Sequence, residues 1–309
     1  MRSVAPVLDL ESIRAGGKAA LARALSRLEA DPDSPATLAL LDAAFGAAQG
    51  RVIGLTGPPG VGKSTLMSRL IQHWRAAGLR VGCIAVDPSS RRSGGALLGD
   101  RTRLVTDPED QDVFVRSMAA RDRLGGVAEL TVAAMVLMRA LFDRVLIETV
   151  GVGQSETDVA ALADSVLFCV QPGSGDSLQF MKAGIAEIPD IVVVTKADIE
   201  SAARAGADVA AALALVPPSG WKVPVLAVSA PADQGLVEVL AALDHHTDWL
   251  SRDGTGLARR HAQAEQWLVQ AIRDRFGRDG LRRVGVLALP PGHSPFERLA
   301  ALSHRLIRD

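Results

Sequence analysis

The stretch that decides the fold is Val52-Ile-Gly-Leu-Thr-Gly57-Pro-Pro-Gly-Val-Gly62-Lys63-Ser64-Thr65-Leu66. Gly57 is followed after four residues by Gly62, Lys63 and Ser64, which is the spacing of a phosphate-binding loop. Apolar residues precede the loop as a buried strand, and apolar residues recur after Lys63 at helical spacing. The segment therefore predicts a strand, a glycine-rich loop and a helix whose N-terminus favours a bound phosphate.

The residue types in this loop each have a chemical use. Glycines let the chain wrap an anion with several N–H groups, Lys63 can reach the terminal phosphates, and the Ser64 hydroxyl can bind magnesium. We therefore predict that the chain binds a nucleoside triphosphate. The residues expected to contact its phosphates are Gly57, Pro58, Pro59, Gly60, Val61, Gly62, Lys63, Ser64 and Thr65.

Composition limits the class of protein. Hydrophobic residues make up 48% and charged residues 22% of the 309 residues, which indicates a globular protein with a sizeable core. The net charge of −1 gives no general attraction to nucleic acid or membranes. Cys83 and Cys169 lie in apolar, strand-like runs and are expected to be buried rather than paired. Without a signal-peptide pattern or an 18-residue apolar run, we expect a cytoplasmic protein.

The order of predicted elements indicates an α/β fold with three segments. Residues 1–50 are predicted to form a helical extension, 51–250 a nucleotide-binding domain, and 251–309 a helical arm. Within the middle segment strands and helices alternate, which favours a mostly parallel sheet with helices on both faces. Strands are predicted at 52–56, 81–86, 112–117, 144–149, 165–170, 190–195 and 223–229, and helices at 63–77, 127–142, 155–163, 176–187, 198–215 and 235–250.

Acidic residues fall near the ends of predicted strands, where ligands of parallel sheets bind. Asp87 closes one strand, and Asp100 follows a glycine-rich loop. Either carboxylate could hold magnesium, or each could be an ordinary cap or turn residue. Glu148 ends another strand and could organise the water of a metal. Gly151 would then sense the γ-phosphate through its N–H, and Gln154 is the nearest candidate for orienting the attacking water.

The segment Thr195-Lys196-Ala197-Asp198 is similar to the Asn-Lys-x-Asp element with which GTPases read guanine. In that element the aspartate accepts hydrogen bonds from guanine N1 and N2, while the lysine lies over the base. Thr195 replaces the asparagine and can donate one hydrogen bond, but it lacks the paired donor and acceptor of an amide. Ser229 and Ala230 lie at the end of the last predicted strand and suit the remaining base-contacting loop. The pattern favours GTP over ATP.

Five longer strings make the resemblance to one family specific. The sequence resembles the MeaB/ArgK family of GTPases, the G-protein chaperones of adenosylcobalamin-dependent acyl-CoA mutases, from about residue 8 to 250. The strings are Val86-Asp-Pro-Ser-Ser90, Leu98-Gly-Asp-Arg-Thr-Arg103, Arg116-Ser-Met-Ala-Ala-Arg121 with Leu124-Gly-Gly126, Glu148-Thr-Val-Gly-Val-Gly-Gln-Ser-Glu156 and Pro172-Gly-Ser-Gly-Asp-Ser-Leu-Gln179. Two departures are Thr195 and Asp122-Arg123, where Gly-His is expected.

The resemblance implies a P-loop fold that hydrolyses GTP with Mg²⁺. It assigns the metal to Ser64, Asp87, Asp100 and Glu148, and guanine to Lys196 and Asp198. The residues themselves suggest Lys63, Glu148 and Gln154 as the catalytic positions. The resemblance also implies that Gln179 and Lys182 belong to a further switch that relays the nucleotide state to the mutase. An ordinary surface helix over 177–187 is the alternative. The implied partners are methylmalonyl-CoA mutase or a related isobutyryl-CoA or 2-hydroxyisobutyryl-CoA mutase, an adenosyltransferase, and a second copy of the chain.

The last segment is basic and helical. From residue 252 it contains eleven arginines, no lysine and six acidic residues (11 − 6 = +5), with Trp267, Leu268 and Ile272 on one helical stripe. Such a helix could bind nucleic acid or a membrane, or present a solvated charged face. The resemblance suggests a third use, as a dimerisation arm. Pro290-Pro-Gly-His-Ser-Pro295 is expected to break the helix before a short end.

Two other functions are alternatives for a P-loop protein of this kind. A nickel-delivering GTPase would be expected to carry a histidine-rich tract or paired cysteines, and this sequence has neither. Its histidines at 245, 246, 261, 293 and 304 lack ligand spacing and are expected to be surface or core residues. An ATPase that energises the transport of basic amino acids would prefer ATP and have membrane partners.

Overall fold

The computed structural model describes residues 9–88, 104, 106–120, 129–149, 155–173, 185–217 and 220–308, with the backbone alone at 87, 88, 119, 120, 155–157 and 185. The described chain divides into two compact units. One, which we call the sheet unit, takes in residues 51–127 and 144–256. The other, the helical unit, takes in residues 1–50, 128–143 and 257–309. No helix among the described residues is both long and apolar enough to cross a membrane.

The sheet unit contains a seven-stranded sheet in which every pair of neighbours is parallel. The order is β3-β2-β4-β1-β5-β6-β7. The strands are β1 (Arg51–Thr56), β2 (Val81–Pro88), β3 (Val113–Ala120), β4 (Arg144–Glu148), β5 (Ser165–Val170), β6 (Ile191–Val194) and β7 (Val225–Ala227). The predicted fold class is confirmed, and each predicted strand is present with its ends no more than three residues from the predicted ones.

Strand β1 lies at the point where the strand order turns, between β4 and β5. Its residues Val52 and Leu55 are fully buried, as expected for a central strand covered on both faces. In the register of β1 and β4, Leu55 lies opposite Glu148, so the ends of both strands meet at one edge of the sheet. Crevices at such switch points are where open α/β sheets bind ligands.

The helices of the sheet unit are α3 (Lys63–Ala76), α5 (Ser155–Ala160), α6 (Ala202–Leu213) and α7 (Leu236–Leu250) among the described residues. Helix α3 buries the predicted apolar stripe, which comprises Leu66, Met67, Leu70, Ile71 and Trp74. Helix α6 starts later than the predicted residue 198, because a turn occupies 198–201 and Ser201 precedes the first helical residue. Of the predicted helix at 176–187, only a 3₁₀ turn at Ile185–Glu187 lies in the described part.

The helical unit begins with two helices, α1 (Leu10–Ala30) and α2 (Pro35–Gly46), which agree with the helical character predicted for this part of the chain. Helix α2 starts at Pro35, because proline suits the first turn of a helix and the Ser34 hydroxyl accepts the Thr37 N–H at 3.3 Å. Helix α4 (Glu129–Leu141) belongs to this unit and not to the sheet unit. Arg14 of α1 donates to the Ala140 carbonyl of α4 at 2.8 Å.

The C-terminal residues form α8 (Thr255–Val284) and α9 (Pro295–Arg308). Helix α8 carries a non-helical residue at Gly277, whose φ is 69°. Its predicted apolar stripe faces α9, and the shared core consists of Leu268, Ala271, Ile272, Leu299, Leu302 and Leu306. The expected break at Pro290–Pro295 is confirmed, and the short end that follows is a 14-residue helix. Proline is well tolerated in the first turn of a helix, so Pro295 begins this one.

Candidate functional site

The loop between β1 and α3 has a backbone that requires glycine. Gly57 has a φ of 135°, and a Cβ added there would lie 2.2 Å from the carbonyl oxygen of Cys169. Gly60 and Gly62 also have positive φ values, 75° and 101°. Gly62 directly precedes α3, so the loop ends at the N-terminus of a helix, where backbone N–H groups favour an anion.

Lys63 is the first residue of α3, and only 6% of its surface is exposed. Its ammonium group donates to the carbonyl oxygens of Gly57 at 2.7 Å and Pro58 at 3.0 Å. The charge is therefore held across the phosphate-binding loop. Cys169, beneath the loop, is buried, and this burial raises the pKa of its thiol to about 12 even though nearby Lys63 acts in the opposite direction.

A cavity of about 400 Å³ opens beside this loop. Its size lies within the range of small-molecule sites. Residues from the loop, from the start of α3 and from the ends of β2 and β4 line it, namely Pro59, Gly60, Gly62, Lys63, Ser64, Thr65, Ala85, Val86, Glu148 and Thr149. The cavity thus lies at the carboxyl edge of the sheet, as expected for a parallel sheet.

One wall of the cavity carries two oxygen ligands suited to magnesium. The Ser64 hydroxyl donates to Glu148 Oε1 at 3.0 Å, and 9% of Glu148 is exposed. Mg²⁺ prefers one or two protein oxygens together with phosphate and water, which this pair can supply. Glu148 is held in place by the residue that follows, because the Thr149 N–H donates to the Leu55 carbonyl and its hydroxyl to Thr56 Oγ1, both at 3.1 Å.

The candidate base motif is connected to the phosphate-binding loop through side chains. Thr195 is 5% exposed, and its hydroxyl oxygen lies 2.6 Å from the Val61 carbonyl and 3.0 Å from the Val170 carbonyl. Lys196 has a positive φ of 53°, and its ammonium group donates to the Gly60 carbonyl at 3.2 Å and to the side chain of Gln171. Thr195 and Lys196 therefore bind the consecutive carbonyls of Val61 and Gly60 in the phosphate-binding loop.

Asp198 lies beside the second predicted base loop. The Ser229 hydroxyl donates to Asp198 Oδ1 at 2.7 Å, and this hydrogen bond lowers the pKa of the Asp198 carboxyl below its ordinary value. The Asp198 backbone N–H and the charge of Lys196 act in the same direction. The carboxylate is thus negatively charged at neutral pH and can accept hydrogen bonds from N–H groups of a ligand.

The histidines of the described chain do not assemble a metal site. His246 is fully buried, and its Nδ1 lies 2.7 Å from the Ser165 hydroxyl, so it is a core residue as predicted. In the part of the chain that is described, no three side chains of the types His, Cys, Asp and Glu come together as possible metal ligands. Cys83 and Cys169 are both buried and unbridged, which confirms their expected place in the core.

The structure brings together the loop 57–65 with Glu148, and Lys196 and Asp198 with Ser229. Six further predicted site residues lie outside the described residues or are described by backbone alone, so their roles stay predictions: Asp87, Asp100, Gly151, Gln154, Gln179 and Lys182. Sequence reasoning missed Gln171, which directly follows β5 and could have been found from its place at a strand end.

The fold and the site together define a P-loop nucleotide-binding protein. They combine a parallel sheet, a glycine-rich loop that leads into α3, and a Ser64–Glu148 pair at the end of the neighbouring strand β4. Comparison with known proteins gives the family. The sequence model of the methylmalonyl Co-A mutase-associated GTPase MeaB matches residues 21–294. The chain therefore belongs to the MeaB family of P-loop GTPases.

Individual relatives agree with this family. A Caulobacter vibrioides protein named as a GTPase is 40% identical over 283 residues, covering 88% of this chain and 87% of that protein. The mitochondrial methylmalonic aciduria type A homolog of Mus musculus is 38% identical over 228 residues, covering 72% and 55%. The crystal structure of a LAO/AO transport system kinase is similar with a TM-score of 0.68 and 27% identity, covering 96% of each chain.

Proposed function

We propose that this protein is a nucleotide-controlled chaperone that binds GTP with Mg²⁺, hydrolyses it, and uses the bound nucleotide to control an adenosylcobalamin-dependent acyl-CoA mutase. The observation that carries the proposal is the connection between two half-sites. The loop 57–62 and Lys63 suit the phosphates, Asp198 and Ser229 suit a guanine, and Thr195 and Lys196 join the two through hydrogen bonds to Val61 and Gly60.

In this proposal the bound phosphates replace two loop carbonyls as the partners of the Lys63 ammonium group. Lys63 leaves the carbonyls of Gly57 and Pro58 and binds the terminal phosphates, while the N–H groups of 57–65 surround them. Ser64 and Glu148 hold Mg²⁺, with Asp87 and Asp100 as further candidates. When bound, the metal would neutralise charge on the phosphates. Gly151 is proposed to sense the γ-phosphate and Gln154 to position the attacking water, because both closely follow the acidic strand end at Glu148.

Guanine recognition is assigned to Asp198, with Lys196 alongside the base. A charged carboxylate accepts from the N1–H and N2–H groups of guanine, whereas adenine presents an acceptor at N1. Ser229 and Ala230 complete the proposed base site. Since the Thr195 hydroxyl is occupied by two carbonyls, base preference in this proposal depends on Asp198.

The hydrolysis part is tested with Lys63→Ala. Loss of the ammonium group removes the charge that stabilises the transferring phosphoryl group, so GTP turnover should fall by at least about a hundredfold. Release of inorganic phosphate from GTP measures this. Lys222→Ala, which removes an exposed lysine of the same unit, is the matched control and should leave turnover unchanged. Turnover that survives Lys63→Ala would show that the site is assigned wrongly.

The partner part rests on the description of the family and on the resemblance of the sequence. Methylmalonyl-CoA mutase is the first candidate, followed by isobutyryl-CoA and 2-hydroxyisobutyryl-CoA mutases; an adenosyltransferase and a second copy of the chain are further proposed partners. Each mutase is immobilised and offered the protein with GTP or with GDP. We expect capture that depends on the nucleotide, and GTP turnover that rises on mixing. Equal capture with both nucleotides, or capture by none, would contradict the proposal.

A second candidate is an ATPase linked to amino-acid transport, and it is kept because the similar crystal structure is named a transport system kinase. Comparing the dissociation constants of GTP and ATP separates the two. Tighter binding of ATP would favour this candidate and would contradict the role assigned to Asp198.

A further inference from the structure

The turn after β7 is closed on itself. The N–H of Ser229 donates to the Gln234 carbonyl, and the N–H of Gln234 donates back to the Ser229 carbonyl, both at 3.1 Å. Inside this closed turn Asp233 has a positive φ of 56°. Gly235 follows with a φ of 79°, and a Cβ there would lie 2.1 Å from the Ala227 carbonyl. Residues 229–234 therefore form a compact piece of backbone, which we call the base turn.

Helix α3 holds the base turn through one arginine. Arg69 Nε donates to the Ala230 carbonyl at 3.0 Å, and Arg69 Nη2 donates to the Pro231 carbonyl at 3.2 Å. The third nitrogen, Nη1, donates to Gln72 Oε1 at 3.0 Å, which steadies the guanidinium on its own helix. A planar guanidinium that donates to two successive carbonyls fixes orientation as well as distance.

A second contact supports the first. His73, one turn further along α3, has its Nε2 3.3 Å from Asp233 Oδ1 in the base turn. Both side chains are substantially exposed, so this contact contributes little by itself. Among the polar contacts that the base turn makes with α3, the hydrogen bonds of Arg69 are therefore the stronger ones.

The base turn supplies the hydrogen-bond partner of the residue that is proposed to bind guanine. Ser229 belongs to the base turn and donates to Asp198 at 2.7 Å, so the place of the turn decides how the Asp198 carboxylate is oriented. Helix α3 begins at Lys63, so one helix carries the lysine proposed to contact phosphate and also fixes the base turn.

We propose that Arg69 is a positioning residue for guanine recognition, acting on the base through the base turn, Ser229 and Asp198. This inference rests on the proposed GTP function. Without Arg69 the turn loses two hydrogen bonds to α3, and the Asp198 carboxylate loses a fixed orientation. Guanine, which uses that carboxylate, is then bound less tightly, whereas the phosphates and adenine are affected much less.

The test uses the full chain and three probes: GTP, ATP and inorganic tripolyphosphate. Arg69→Met keeps the aliphatic stem and removes the donors. We expect GTP affinity to fall on the order of tenfold, as for the loss of hydrogen bonds from a charged donor, and the affinities of the other two probes to change less than about twofold. Arg69→Lys, which restores a single charged donor, should give an intermediate GTP affinity. Arg204→Ala, an exposed arginine of α6, is the control and should change nothing.

The outcomes separate this inference from the proposed function. A wild-type protein without preference for GTP over ATP would contradict both. A wild-type preference that Arg69→Met leaves intact, or equal weakening of all three probes, would overturn the role of Arg69 alone. If Arg69→Met does not fold, as judged by its thermal unfolding, Arg69→Lys decides: a GTP to ATP ratio equal to that of the wild type overturns the inference.

Discussion

At the scale of the residue, Thr195 shows what a departure from a recognition motif can mean. It occupies the position at which GTPases of the Asn-Lys-x-Asp type have asparagine, and it is almost fully buried. Its hydroxyl hydrogen is shared between the carbonyls of Val61 and Val170, one in the phosphate-binding loop and one at the end of β5. A hydroxyl engaged in this way connects two parts of the site and has little capacity left for a base.

We predict that Thr195→Val weakens GTP and ATP binding by the same factor, on the order of fivefold. Valine keeps the shape but leaves the Val61 carbonyl without its hydroxyl donor, whereas the Val170 carbonyl keeps the backbone N–H of residue 195 at 2.8 Å. A buried carbonyl that loses its donor costs about 1 to 2 kcal/mol. Thr195→Ser should restore most of the affinity because it returns the hydroxyl. Titrations with both nucleotides measure the effect, and a changed ratio of GTP to ATP affinity would mean that Thr195 reads the base after all.

Ser64 gives a second prediction at this scale. Its hydroxyl lies 3.0 Å from Glu148, and both are proposed magnesium ligands. Ser64→Ala should abolish the tightening of GTP binding by Mg²⁺ and reduce turnover by about a hundredfold, while metal-free binding stays near the wild-type value. Ser68→Ala, one turn along α3, is the matched control, because the Ser68 hydroxyl donates within its own helix to the Ser64 carbonyl. Unchanged magnesium dependence in Ser64→Ala would exclude Ser64 as a ligand.

At the scale of the element, the phosphate-binding loop has glycines with different constraints. Gly57 combines a positive φ with a close neighbour, the Cys169 carbonyl of β5, which belongs to the sheet and cannot easily move. Gly60 also has a positive φ, but no atom lies within 4 Å of the place where its Cβ would be. The first glycine is therefore required by packing against β5, and the second only by backbone conformation.

These two positions make a paired prediction about stability. Gly57→Ala should lower the free energy of unfolding by about 3 kcal/mol, since strain and a steric clash add. Gly60→Ala should cost about 1 kcal/mol, the usual cost of a left-handed conformation for an alanine. Chemical denaturation of both variants without nucleotide measures the difference. Equal losses would show that the loop moves away from β5 at little cost.

At the scale of the whole molecule, distant segments of the chain meet through ion pairs. Within the helical unit Arg275 of α8 contacts Glu129 at the start of α4, at 2.6 Å, and Asp33 between α1 and α2, at 2.9 Å. Its side chain is 22% exposed, and these hydrogen bonds raise the pKa of the guanidinium, so it stays charged at any accessible pH. One side chain thereby joins three regions far apart in sequence.

We predict that Arg275→Ala destabilises the helical unit by about 2 kcal/mol, between the values for exposed and buried ion pairs. Hydrogen exchange of α1, α4 and α8 measures this locally. Arg282→Ala removes an exposed arginine of the same helix, paired only on the surface with Asp279, and should have no measurable effect. If exchange in the three helices were unchanged in Arg275→Ala, the network would contribute nothing to their stability.

Local patterns determined much of this protein. The glycine spacing from Gly57 to Ser64, the apolar runs of the strands and the helical stripe of α3 predicted the P-loop fold and its elements, because strand burial and turn conformation depend on nearby residues. The same patterns placed the start of α6 at residue 198, whereas the helix begins at Ala202. The deciding feature was a turn that holds Asp198 outside the helix.

Other features were decided only by the tertiary structure. No sequence pattern connects Arg69 with Ala230, Thr195 with Val61, or Arg275 with Glu129, because each pair lies more than a hundred residues apart. The contact partners follow from which strands are neighbours in the sheet and how the helices pack. The sequence alone determined that a phosphate-binding loop is present. The tertiary structure determined which carbonyls and carboxylates that loop contacts, because those contacts form only after distant segments of the chain have packed together.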